Sequence, residues 1–302
     1  MNAPALPDAQ YHGPGILLML GSALSLAVMN ALVKWLTLES YSTFQIVFMN
    51  AVCGFTAVLS WLLMSGKMIF VKRVRPLLLV YIMAALSACL SLFYAFGHGQ
   101  LAQISTVVAA APLLVAVLSF VFLAERLSRW QAGLIIGGFL GILLVLRPGM
   151  EMQASLPVLA ALGGTFALAV SQVLVRKMSR SIHTAAFILY FYTGSLVIAG
   201  VIVFGGDLWQ PVAAGDLPLF LGCAAADVLA LFLMYSAFRC APASMVMPFQ
   251  YSNIVWSALM GYVIWQEQPD NWTLTGALVI IATGVLFTRT ALLRKPVMAP
   301  QT

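Results

Sequence analysis

Charge is what this chain has least of. Asp, Glu, Lys and Arg make up 8% of its 302 residues, against about 25% in an ordinary soluble domain. Too few charged side chains exist to cover a water-facing surface, which excludes a soluble enzyme. The three histidines, His12, His98 and His183, fall in different loops without ligand spacing, so no metal site is expected. Four cysteines, Cys53, Cys89, Cys223 and Cys240, sit within or at the ends of apolar runs with no CxxC pair, so no disulfide framework is implied. No phosphate-cradling Walker motif occurs, so no ATPase domain is expected in this chain. No Ser/His/Asp or Cys/His arrangement is legible inside the apolar runs, and neither catalysis nor a resident cofactor is expected. The first residues lack the basic region and cleavage site of a signal peptide.

What is present is apolar. Of all residues 62% are hydrophobic, and the mean hydropathy is +1.00. A bilayer span needs about 20 apolar residues, and with short loops 302 residues allow roughly ten spans. Runs between polar breaks predict helices over 15–36, 43–64, 76–97, 102–124 and 130–147, then 156–175, 184–204, 217–238, 243–265 and 272–290. Lys and Arg collect on the cytoplasmic side of a membrane protein. Counted on alternate faces, thirteen lie on the side of both termini, and only Lys34 and Arg147 lie opposite. That places both termini in the cytoplasm of an inner-membrane protein. The excess charge of +6 is therefore a topology signal, and no nucleic-acid partner is implied.

The two halves repeat at an offset of 142. Leu20-Gly21 recurs as Leu162-Gly163, Leu26-Ala27-Val28 as Leu168-Ala169-Val170, and Leu32-Val33-Lys34 as Leu174-Val175-Arg176. Glu125 and Trp130 recur as Glu267 and Trp272. Chance collisions of Leu, Ala and Val do not reproduce one offset across charged and aromatic pairs at matching span ends. Five spans per copy is an odd number, so the second copy must enter the membrane upside down. The expected fold is all-α integral membrane, ten transmembrane helices as two inverted five-helix repeats. The divisions are a cytoplasmic tail over 1–14, a first repeat over 15–147, a linker over 148–155, a second repeat over 156–290 and a cytoplasmic tail over 291–302. Inverted repeats are an architecture of secondary transporters, with the pathway between the halves.

Several stretches resemble a known family. Tyr94-Ala95-Phe96, Ala109-Ala110-Ala111-Pro112-Leu113, Leu123-Ala124-Glu125-Arg126-Leu127-Ser128, Met247-Pro248-Phe249-Gln250-Tyr251 and Glu267-Gln268-Pro269-Asp270 are similar to the drug/metabolite transporter superfamily of the EamA type. The second half is similar to a bacterial branch whose members move S-adenosylmethionine, riboflavin or opine-type metallophores. The resemblance implies a transporter of a small-molecule substrate in the lipid bilayer. Export of an amino-acid-like or opine metallophore zwitterion is the preferred reading. Import of a cofactor-sized nutrient is the alternative, and a non-transporting helper subunit the remote one. Where the branch carries an Arg in its second span, this chain reads Phe48-Met49-Asn50.

Polar residues inside apolar runs nominate the site. Asp227 is the one acid in the middle of a predicted span, and a carboxylate there is costly unless paired, solvated or protonated. It fits a proton-coupling group, a counter-ion for a cationic cargo, or a structural hydrogen bond. Its repeat mate is Ala85, so it breaks the symmetry. Asn30, Gln172, Asn50, Gln250 and Asn253 are amides that mark interhelical hydrogen bonds or a wet cavity. Asn30 and Gln172 are repeat mates. Tyr94, Tyr190, Tyr192, Tyr251 and Trp256 fit either stacking on a planar or cationic cargo or ordinary packing. Lys34 and Arg176, at matching span ends, suit the two pathway mouths or snorkel to headgroups. Glu125 and Glu267 suit structural latches. Gly133, Gly137 and Gly141 form overlapping GxxxG steps that serve packing within the repeat or a homodimer.

Overall fold

Proline decides where the fourth apolar run breaks. Pro112 has no N–H, so a helix running through it could not answer the carbonyl of Val108, four residues back. The structure is a computed structural model describing residues 12–64, 76–123, 129–146, 155–178, 184–240 and 246–293. In chain order its first helices are α1 (His12–Leu38), α2 (Thr43–Met64) and α3 (Pro76–His98). Helix α4 (Leu101–Val108) then stops, and α5 (Ala111–Leu123) begins after a turn at Ala109 and Ala110. The continuous helix expected over 102–124 is thus corrected to two. The turn stays hydrogen-bonded, with Ala110 N–H donating to Val107 O at 3.1 Å and Leu113 N–H to Ala110 O at 3.0 Å.

Helices α6 (Arg129–Leu146), α7 (Leu156–Met178), α8 (Thr184–Gly205) and α9 (Leu217–Cys240) follow. The ninth run, expected as one helix over 243–265, is broken as well. A 3₁₀ turn, Met247–Tyr251, hands over to α10 (Ser252–Trp265), and α11 (Asn271–Leu293) ends the described chain. The handover at residues 251 and 252 is the repeat mate of 109 and 110, since 251 − 109 = 142. Non-helical backbone survives at membrane depth where protein buries it or where it lines a water-filled cavity, and matched broken helices are a mark of secondary transporters.

No strand occurs among the described residues. Seven helical segments there are long and apolar enough to cross a membrane, Leu101–Phe122 being counted across its break, and Arg129–Val145 and Asn271–Phe287 are shorter apolar helices. Lipid offers the backbone no hydrogen bonds, so helices are the form such runs adopt. Leu17, Trp61, Val121, Phe122, Val201, Phe232 and Leu278 are exposed on the outside of the bundle, the surface a hydrocarbon solvent requires.

The halves interlock through a twofold. Helix α1 packs along α9, and their repeat mates α7 and α3 pack along each other; α2 meets α8 and α6 meets α11 across the axis. Helices α1 and α9 run antiparallel, for Ser22 Oγ donates to Ala230 O and Ser25 Oγ to Ala226 O, both at 2.8 Å. The mated contact shows at Gly164, where an added Cβ would stand 3.0 Å from Ser91 Cβ. Adding or subtracting 142 converts it to Ser22 beside Leu233. Leu233 does lie there, 3.3 Å from where a Cβ of Gly21 would be. The architecture is two inverted repeats, as the odd span count requires. Gly137 and Gly141 face α11 within the chain, against Thr283 and Ile280, while Gly133 faces open space.

Candidate functional site

Asp227 stands midway along α9, and two other helices supply its partners. Asn50 Nδ2 of α2 donates to Asp227 Oδ2 at 2.9 Å, and the Tyr192 hydroxyl of α8 donates to the same oxygen at 2.8 Å. Asn50, Tyr192, Cys223 and Ala226 are buried, yet Asp227 itself is only partly so. Both donors meet the same carboxylate oxygen, and among the described residues Oδ1 has no hydrogen-bond partner. Gly54, one turn beyond Asn50, makes this possible: a Cβ there would run into the Tyr192 ring. No cation bonds Asp227 among the described residues. Both supports are neutral donors, which hold the carboxylate in place and leave its charge uncompensated.

A second cluster joins the repeats at the end where α1 passes into α2. Lys34 Nζ pairs with Glu267 Oε1 and donates to Gly99 O at 2.7 Å. It also stands 5.3 Å from the centroid of the Trp265 ring, a cation–π distance. Glu267 Oε2 accepts the Leu101 N–H at 2.9 Å. Gln100 offers no side-chain cap to α4, so a carboxylate from the other repeat answers one of the free amides at that helix's N-terminus. Negative charge is favoured there by the helix dipole. The backbone of Gln266 is left-handed (φ 55°) and folds Glu267 back over α10. Gly261 leaves room for it, since a Cβ there would stand 2.5 Å from Glu267 Oε2. Close by in sequence, the Tyr41 hydroxyl donates to Asp216 Oδ2 at 2.8 Å and Gln45 Nε2 to Gln210 O at 2.7 Å. The Lys34–Glu267, Glu267–Leu101, Tyr41–Asp216 and Gln45–Gln210 bonds cross from one repeat to the other.

The remaining sequence candidates are scattered over the bundle. Asn30 is buried and its mate Gln172 exposed, so the two occupy unlike environments. Asn253 Nδ2 donates to Ala23 O at 3.0 Å, bracing α10 on α1. Tyr251 is buried with its hydroxyl against Gly284. Tyr94 stacks on His98 with ring centroids 4.2 Å apart, and Tyr190 packs against the apolar cluster that includes Leu78, Tyr81 and Phe187. Gln250 Oε1 and Trp256 Nε1 are buried with no partner among the described residues, so the broken ninth run carries polar groups still open to a ligand or to water. By the 142 offset Arg176 and Glu125 are mates of Lys34 and Glu267. The Arg176 side chain and Glu125 lie outside the described residues.

Sequence reasoning paired neither Lys34 with Glu267 nor Asn50 with Asp227. A signal existed for the first, since opposite charges sat at the ends of spans 1 and 9. Gly54 and Gly261 carried none, because what they make room for lies on another helix or beyond a turn.

Comparison with known proteins agrees with this architecture. The model of the EamA-like transporter family matches residues 13–147 and 155–290, once for each repeat. The pseudopaline exporter CntI of Pseudomonas aeruginosa is 29% identical over 281 residues, covering 91% of this chain and 96% of that protein. The S-adenosylmethionine uptake transporter of Rickettsia bellii is 27% identical over 217 residues, covering 70% of each. A solved crystal structure, 17% identical, superposes with a TM-score of 0.62 over 93% of this chain and 98% of that one, which supports the fold alone. Two repeats, broken helices in matching spans and a carboxylate bonded across the halves thus occur in a chain that belongs to the EamA-like transporter family, multi-pass membrane proteins that move small molecules.

Proposed function

We propose that the protein is a secondary transporter that exports a small zwitterionic metabolite across the bacterial inner membrane by alternating access, both termini being cytoplasmic. The observation that carries this reading is Asp227, held at mid-span by Asn50 and Tyr192 with no cation beside it. A lone carboxylate in the hydrocarbon zone costs several kcal/mol or more, and evolution retains one where cargo or a coupling proton completes it. The cross-repeat bonds around Lys34, Tyr41 and Gln45 close the mouth at that end, so the cavity would open to the other side. Export is favoured over uptake because identity to the exporter, 29% over 281 residues, is higher than to the uptake transporters, 27% over 217 residues and 23% over 275 residues.

The test is an Asp227→Asn variant in proteoliposomes of both orientations. The amide keeps the shape and can still meet Tyr192, but it loses the charge and the proton. If Asp227 couples protons, gradient-driven accumulation stops while downhill exchange persists. If it is the counter-ion, affinity for cationic cargo falls at every pH. Normal transport with an unchanged pH profile in a folded Asn variant would overturn the reading.

A further inference from the structure

The Asp227 carboxylate is approached from one side only. Asn50 and Tyr192 both donate to Oδ2, and among the described residues nothing donates to Oδ1. Next to it, Asn50 Oδ1 is buried and accepts no hydrogen bond among the described residues, in a residue that is 5% exposed. The orientation of this amide follows from chemistry. Only its NH₂ end can face a carboxylate, so its oxygen must face away from Oδ2. The amide is planar and anchored at Nδ2, which holds that oxygen within the same polar patch. Two acceptors therefore lack donors among the described residues, one anionic and one neutral, beside Tyr192 and near Cys89 and Cys223.

We infer that Asp227 and Asn50 together form a receptor for a protonated amine carrying at least two N–H bonds, a primary or secondary ammonium, and that they select it over a fully alkylated cation. This rests on Asp227 being a cargo site, and it names the group recognised there. One N–H meets the carboxylate and the other meets the amide oxygen, which leaves no buried acceptor open. A quaternary ammonium or a sulfonium brings the same charge with no donor. It satisfies Asp227 electrostatically and leaves Asn50 Oδ1 desolvated and unpaired. That defect weakens binding by roughly 5- to 150-fold, the price of one unmade buried hydrogen bond. The Tyr192 hydroxyl, committed to Oδ2, cannot substitute as a donor to Asn50.

The probes are n-butylammonium and butyltrimethylammonium, which share a chain and a charge and differ in N–H count. Binding to the full chain in lipid nanodiscs is read from the concentration dependence of thermal stabilisation, which reports affinity for the folded state. The wild type should bind butylammonium at least about fivefold more tightly. Asn50→Leu should narrow the gap to what the remaining N–H bond to the carboxylate contributes while retaining both affinities, and Asp227→Asn should abolish both. Equal affinities in the wild type would overturn the donor requirement and leave Asp227 as a plain counter-ion, so the proposed function would stand. Binding of neither probe, with normal transport by Asp227→Asn, would overturn both. Should Asn50→Leu fail to fold, Asn50→Ala supplies the same comparison.

Discussion

Replacing Lys34 with Met removes the cation from the cluster that ties α1, α4 and the α10–α11 connection together. Side-chain exposures of 11% for Lys34 and 12% for Glu267 put the pair toward the buried end of the range. There, loss of one partner costs about 3–5 kcal/mol, because the other is left as an uncompensated charge. The Leu101 N–H stays on Glu267, which argues for the lower figure, about 3 kcal/mol. Glu267→Gln should cost less, about 2 kcal/mol. The amide oxygen still accepts from Leu101, and Lys34 keeps the Gly99 carbonyl and the Trp265 ring. Independent effects would sum to about 5 kcal/mol in the double variant; with no charge left unmatched, about 2 is expected, a coupling of about 3 kcal/mol. Equilibrium unfolding of the four proteins in mixed micelles measures this directly. A coupling below about 0.5 kcal/mol, the value for a solvated surface pair, would refute the argument that this node locks the repeats together.

Further substitutions probe how the node, the site and the α6–α11 contact are built. Gly261→Ala places a methyl where Glu267 Oε2 passes, so it should lose most of the Lys34 coupling; the same double-variant cycle repeated in that background measures it. Gly54→Ala pushes the Tyr192 ring away from Asp227, costing about 1–3 kcal/mol of stability by overpacking and lowering transport severalfold. Adding Tyr192→Leu should restore thermal stability without restoring transport, a split that an effect on folding alone would not produce. Gly276→Val meets Gly141 O, 2.7 Å from the added Cβ, and Val145, so it should part α6 from α11 and lower the unfolding midpoint, whereas Gly133→Val, facing open space, should leave it unchanged.

The breaks in the fourth and ninth runs show how far local sequence reaches. Pro112 sits where α4 must end, and backbone chemistry alone explains it. At the mate position in the ninth run the residue is Ile254, and Pro248 lies earlier, inside the 3₁₀ turn. Local chemistry there is different, so the matched handover at Tyr251–Ser252 follows from packing against α1 and α11. Asp227 stood out as an acid within an apolar run. Asn50 and Tyr192 were candidates too, but their meeting with Asp227 was not legible, since Asn50 lies 177 positions away and Tyr192 sits two residues from Tyr190, an equally plausible aromatic. Lys34 read as a pathway mouth or a snorkelling cation until its partner 233 positions away was found.

By itself the sequence determined the class, the span count and the inverted repeat. The bilayer fixes the length of every apolar run, and duplication leaves an offset that needs no contacts to be read. Tertiary structure alone decided which polar groups meet. The Asn50–Asp227 and Lys34–Glu267 pairings cross the twofold, and what brings those groups together is the packing of one repeat on the other. Such packing depends on small residues such as Gly54 and Gly164 letting particular helices approach, and no local pattern records which helix that will be.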